Sequence, residues 1–177
     1  MHLAYRELCR DPETQRDYFA ELYCAGIFGD AGWAVYFPKR DVGFDFIVTK
    51  EVDGQVVLRP VQVKGLYPTN AKGNRLGYGW RCNLTAVHKE MVLVLAYFAA
   101  TERGVAPELI AYMPYAEIKR PTRGGYRCLP ANFTGGHAVR RKEFQRYFGE
   151  GGLKAIESPA WANGSQTAEP AGGRSGA

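Results

Sequence analysis

The sequence predicts a mixed α/β domain: a helix, a three-stranded antiparallel meander, and further strands beyond a long loop. Three observations predict it. Residues 12–28 carry apolar side chains at helical spacing. Residues 33–64 hold three strand-like runs separated by turn signals. Met91 to Phe98 is a near-continuous apolar run, as expected of a central strand covered on both faces.

The helix is expected to begin where Asp11 can cap and Pro12 needs no N–H partner. Phe19, Leu22, Tyr23 and Ile27 then form one apolar face, and Gly29 to Gly32 ends it. Trp33 to Phe37 reads as a strand cut off by Pro38, and Lys39, Arg40 and Asp41 as a polar turn. Gly43 to Thr49 is the second strand. Asp53-Gly54 is a hairpin turn signal, and the third strand runs from about Val56 to Lys64. Residues 65–81 form a long polar loop containing Tyr67, Tyr78 and Trp80; loops of this length are often functional. Leu84 to Lys89 is either a short helix or an extended lead-in. Leu109 to Met113 is a strand ended by Pro114, and Tyr115 to Lys119 a single helical turn. Arg140 to Phe148 reads as an amphipathic helix with Phe144, Tyr147 and Phe148 on one side. From Ser158 the chain is mostly Ala, Gly, Ser and Pro, so residues 1–157 are expected to form the domain and 158–177 a disordered tail.

With 177 residues and 46% hydrophobic content, the chain can bury a sizeable core. No apolar run approaches the roughly 20 residues that a membrane span needs, and residues 1–10 lack the apolar stretch of a secretory signal. A cytoplasmic protein with no membrane partner is expected. Cys9, Cys24, Cys82 and Cys128 are widely spaced, and with His2, His88 and His137 they make no zinc pattern. The net charge of +5 is modest, but Lys119 to Arg146 contains eight basic residues and one acid, Glu143. Such a local excess suits phosphate binding.

Two strands break the apolar pattern in the same way. Asp45 sits inside Gly43-Phe44-Asp45-Phe46-Ile47-Val48, where an unpartnered charge is costly. In Val61-Gln62-Val63-Lys64, Gln62 and Lys64 alternate with valines and so share one face. If the strands pair through Asp53-Gly54, a carboxylate, an amide oxygen and an ammonium converge.

This pattern resembles the PD-(D/E)xK nuclease superfamily, with an Asp on the second core strand and a (D/E)xK tripeptide on the third. The QxK variant occurs in Mrr-like restriction enzymes, and Glu21 resembles the first-helix glutamate of Holliday-junction-resolvase-like members. Phe44 stands where the family's name has proline. The resemblance covers roughly residues 15–115 and implies a restriction-endonuclease-like αβββαβ core, its mixed central sheet flanked by helices. It implies a magnesium-dependent (or manganese-dependent) DNA endonuclease with Asp45, Gln62, Lys64 and Glu21 as catalytic residues. Asp45, Gln62, Glu21 and the Val63 carbonyl would hold the metal. Magnesium takes oxygen ligands and keeps several waters, which this donor set suits. Lys64 would orient or help deprotonate the attacking water and stabilise charge on the phosphate.

Double-stranded DNA is the expected partner, held by Lys72, Arg75, Arg81, Arg123, Arg127, Arg140, Arg141 and Lys142. A homodimer or larger homo-oligomer would supply two active sites for two strands. Restriction, homing, repair and junction resolution are not separated by these residues. Two rivals stand beside the DNA endonuclease. One is a catalytically weak module on the same fold that binds nucleic acid or a protein partner, motivated by Gln62. The other is an RNA-directed nuclease, given slight support by the aromatics interleaved with basic residues.

Overall fold

The computed structural model describes residues 12–40, 43–70, 76–78, 81–82, 84, 86–99, 105–119 and 125–167. Helix α1 spans Pro12–Asp30. The strands are β1 (Ala34–Tyr36), β2 (Phe46–Val52), β3 (Gln55–Leu66), β4 (Thr69–Asn70), β5 (Leu76–Gly77), β6 (Arg81–Cys82), β7 (Val92–Tyr97), β8 (Leu109–Pro114), β9 (Tyr126–Arg127), β10 (Ala131–Thr134) and β11 (His137–Arg140). A second α-helix, α2, spans Gly149–Ala155.

A five-stranded mixed sheet in the order β1-β2-β3-β7-β8 organises the fold. β1, β2 and β3 form the antiparallel meander, and Val52 pairs with Gln55 across the two-residue turn Asp53-Gly54. β7 lies parallel to β3 with Val61 opposite Val92, and β8 is antiparallel to β7. All six residues of β7 are buried, because it is central and covered on both faces.

The two faces are told apart by register, since directly paired residues share a face. Phe46 pairs with Val61, Val63 with Val94, and Val94 with Tyr112. Phe28 of α1 packs edge-on against both Phe46 and Tyr112, so α1 covers this face. Gln62 and Lys64 alternate with Val61 and Val63 and therefore face the other way. There Tyr97 meets Tyr78, and Tyr78 meets Phe133 of β10.

Several expectations need correction. The buried stripe of α1 is Ala20, Cys24 and Phe28, whereas Leu22 and Tyr23 are exposed. Small residues at i and i+4 let the helix lie close to the sheet, and the larger side chains flank that contact. The Cys24 thiol, desolvated there, is pushed up to about 12 and is inert at neutral pH. No helix occurs between β3 and β7 among the described residues; Leu84 and 86–88 are irregular. The expected helix over 140–148 is instead the end of β11 followed by a 3₁₀ helix, Lys142–Tyr147. The Gly135-Gly136 turn, with both φ angles positive, closes the β10–β11 hairpin and draws Arg140 into a strand. Phe148 then bridges Ala111, extending the sheet beyond β8.

Described structure continues past the expected boundary at Ser158, as a 3₁₀ helix over Trp161–Thr167, while 168–177 lie outside the described residues. Trp161 is 4% exposed and donates its Nε1–H to the Met91 carbonyl at 2.9 Å. Arg59, buried on β3, reaches the Ile156 carbonyl (3.1 Å), the Ser158 carbonyl (2.9 Å) and Glu90 (2.5 Å). Lys50 binds the Ala31 carbonyl (2.9 Å) and Glu157 (2.7 Å). A low-complexity composition did not prevent order here, because one Trp and two basic anchors on the sheet supply the partners.

Gly152 of α2 is packed so closely that a Cβ would meet the Tyr147 carbonyl and approach the Tyr112 ring to 2.9 Å. Gly152→Ala is thus expected to destabilise by about 1–3 kcal/mol in urea unfolding, although alanine is the better helix former. Equal or greater stability would show that α2 does not sit this tightly.

Glu108 joins β8 to the β10–β11 hairpin: one oxygen accepts from Ala138 N–H and the other meets His137 Nδ1, both at 2.7 Å. The backbone hydrogen bond first, and then His137, hold its carboxyl below the usual range. A carboxyl depressed on folding stabilises above its unfolded pKa and loses that contribution as pH falls through the folded one. Wild type is therefore expected to lose stability faster than Glu108→Gln as pH drops below about 4. Parallel acid profiles in thermal unfolding would contradict this.

Candidate functional site

Antiparallel pairing brings Asp45 to Gln62. Phe46 pairs with Val61, so one further step in register sets Asp45 opposite Gln62. Asp45 N–H donates to the Val61 carbonyl at 2.9 Å. Its Oδ2 accepts from Val63 N–H at 2.6 Å, occupying the position that a β2 backbone carbonyl would take had the strand continued. The carboxylate is thus fixed by the sheet itself. The N–H and C=O of a strand residue point to the same edge, so the Val63 carbonyl also faces the Asp45 side.

A cavity of about 350 Å³ opens at this point, lined by Pro38, Lys39, Arg40, Gly43, Phe44, Asp45, Gln62 and Lys64. The β1–β2 loop forms one wall and the end of β3 the other. Gln62 is 3% exposed, and its Oε1 is buried with no hydrogen-bond partner among the described residues. Leaving such an oxygen unpaired costs about 1–3 kcal/mol. A near-isosteric Gln62→Leu exchange is accordingly expected to raise stability by roughly that amount. An unchanged or lowered melting temperature would mean that the amide is already satisfied.

Asp45, Gln62 and Lys64 come together as expected. Glu21 does not line the cavity. It is half-buried on α1 beside the Ala20–Cys24–Phe28 stripe. Tyr23 lies on the flank facing β8, close enough to Tyr112 to add to the upward push that burial gives its hydroxyl. By helical geometry Glu21 falls on the opposite flank, toward β3.

Of the residues expected to contact DNA, some lie outside the described residues and others make contacts within the fold. Lys72, Arg75 and Arg123 lie outside the described residues, as does the side chain of Arg81. Arg127 is half-buried, its backbone clamped to Lys119. Arg141 is engaged internally, donating to the Leu129 carbonyl (3.2 Å) and pairing with Glu143 (2.6 Å). Arg140 rests over the Phe148 ring. Lys142 is exposed at the start of the 3₁₀ helix. Phe148 bridges Ala111 of β8 at the sheet edge, three strand spacings, or about 14 Å, from β3.

The cations that do adjoin the site are Lys39 and Arg40, both exposed in the loop. They read from sequence as ordinary turn residues; only the return of the meander sets that loop over the end of β3. None of Lys39, Arg40 and Lys64 has an ion-pair partner among the described residues. No described group of three or more His, Cys, Asp or Glu side chains could hold a metal. No helix of the described residues is long and apolar enough to cross a membrane. Comparison with protein-family models, with curated proteins and with solved structures finds no match.

Proposed function

We propose that the chain is a metal-dependent endonuclease hydrolysing phosphodiester bonds in double-stranded DNA, on a restriction-endonuclease-like core. One observation carries the reading: Asp45, Gln62 and Lys64 line a single cavity, and the Gln62 amide oxygen is buried with no hydrogen-bond partner among the described residues. The helix-then-meander order and the parallel β3–β7 pair support the fold. The crossover without a described helix departs from the expected αβββαβ order.

The residues present offer a divalent cation oxygen donors, although three of the four charged side chains in the described lining are cationic. Asp45, the Gln62 amide oxygen and the Val63 carbonyl form an all-oxygen donor set, as magnesium or manganese prefers. When bound, the cation supplies activation of water and neutralisation of the leaving oxygen. Val63 N–H orients Asp45 through one oxygen. Lys64 stabilises negative charge on the phosphate and orients the attacking water. Lys39 and Arg40 grip the phosphate from the loop side. Action in the cytoplasm, and a homodimer to cut both strands, belong to the same reading.

The test is cutting of plasmid and branched DNA with magnesium, manganese or EDTA, comparing wild type with Lys64→Ala. Metal-dependent cutting lost in the variant supports the proposal; no cutting of any substrate by wild type sinks it. The second reading, a binding module without hydrolysis, draws on the single carboxylate facing three cations in the described lining. It predicts DNA binding that persists while cutting is absent throughout.

A further inference from the structure

The charge balance of the cavity sets an order of events. Among the described lining residues, Lys39, Arg40 and Lys64 contribute three positive charges and Asp45 one carboxylate. Asp41, adjacent in sequence though outside the described residues, would still leave an excess of one. The residue that could have added an anion is Gln62, whose oxygen is neutral, buried and unpaired. A lining of this kind repels a free divalent cation and attracts an anion. Lys39 and Arg40 are exposed, and with Lys64 they lack ion-pair partners among the described residues, so no described internal pair must break before they bind phosphate.

We propose that the cavity takes a phosphodiester phosphate on Lys39, Arg40 and Lys64 before any metal is present, and that the bound phosphate supplies the anionic oxygens which Gln62 cannot. The first half stands on the cavity alone; the second rests on the nuclease reading. Gln62 then acts as a selector, holding metal affinity low until substrate completes the donor set. Magnesium sites shared between protein carboxylates and substrate phosphates are the general pattern for this ion.

The experiment uses the full chain, a short labelled phosphorothioate duplex that resists cutting, and manganese followed by electron paramagnetic resonance. Wild type is expected to bind the duplex in EDTA, and Lys39→Ala/Arg40→Ala to bind it about ten-fold or more weakly with a shallower salt dependence. Manganese affinity should rise about ten-fold or more when the duplex is present. Gln62→Glu should bind manganese without DNA. Duplex binding that needs metal, a double variant that binds like wild type, or manganese affinity indifferent to DNA each overturns the proposal. If these last results appear while wild type still cuts DNA with metal, the inference fails and the nuclease reading stands. If the duplex binds in EDTA as expected but wild type never cuts, the nuclease reading fails and the phosphate site stands.

Discussion

Asp45→Asn is expected to leave the fold intact and to reduce metal-dependent cutting by at least about a hundred-fold. Asparagine keeps a side-chain oxygen to accept from Val63 N–H, so the end of β3 stays anchored. What it removes is the one carboxylate among the described residues lining the cavity. Asp45→Ala should have a second, separable effect: it orphans the Val63 N–H, at a cost of about 1–3 kcal/mol. Melting temperature and nuclease rate measured on both variants divide the two roles. Asn retaining wild-type cutting would remove Asp45 from the metal site. Asn as unstable as Ala would mean that the hydrogen bond does not organise the strand end.

Arg59→Ala is expected to be the most damaging single change to stability, at about 3–5 kcal/mol. Arg59 is 5% exposed on β3. Burial pushes its pKa down, opposed by Glu90, so the pair offsets a desolvation cost that neither partner bears alone. Alanine would strand the Glu90 carboxylate and leave the Ile156 and Ser158 carbonyls without their donor. For a chain of this length the loss corresponds to a fall of about 10 °C in melting temperature. Limited proteolysis should then cut between α2 and Trp161 before the sheet is attacked. A loss below about 1 kcal/mol, the level of an exposed ion pair, would show that these contacts do not hold the segment.

The meander was legible because local rules and tertiary packing agree there. Pro38, Asp53-Gly54 and the period-two pattern mark its breaks, and β7 announces itself by an unbroken apolar run. Asp45, Gln62 and Lys64 were legible for the same reason: each breaks the strand pattern, and the hairpin fixes their register. Three features were not. Arg140–Phe148 satisfies a helical pattern, but the Gly135-Gly136 turn pre-empts it, a signal present in the sequence that the helical spacing obscured. The order beyond Ser158 depends on Arg59 and Lys50, about a hundred positions away, which no local window contains. The place of Lys39 and Arg40 beside the cavity depends on where a loop comes to rest. Basic residues crowd 119–146 by number, but Arg140 and Arg141 are engaged with backbone, aromatic rings or Glu143.

The C-terminal anchor also bears on the timing of folding. The contacts of Arg59 with Ser158 and of Lys50 with Glu157 close loops of very long sequence separation. Such contacts form late, after the meander and β7 have assembled, because their loop-closure entropy is repaid only when the sheet surface already exists. During synthesis the sheet residues emerge first and wait for the segment that covers Arg59. Loss of the anchor should accordingly appear as faster unfolding with little change in folding rate. A segment about a hundred positions beyond the strands that hold it then governs how long the native state persists.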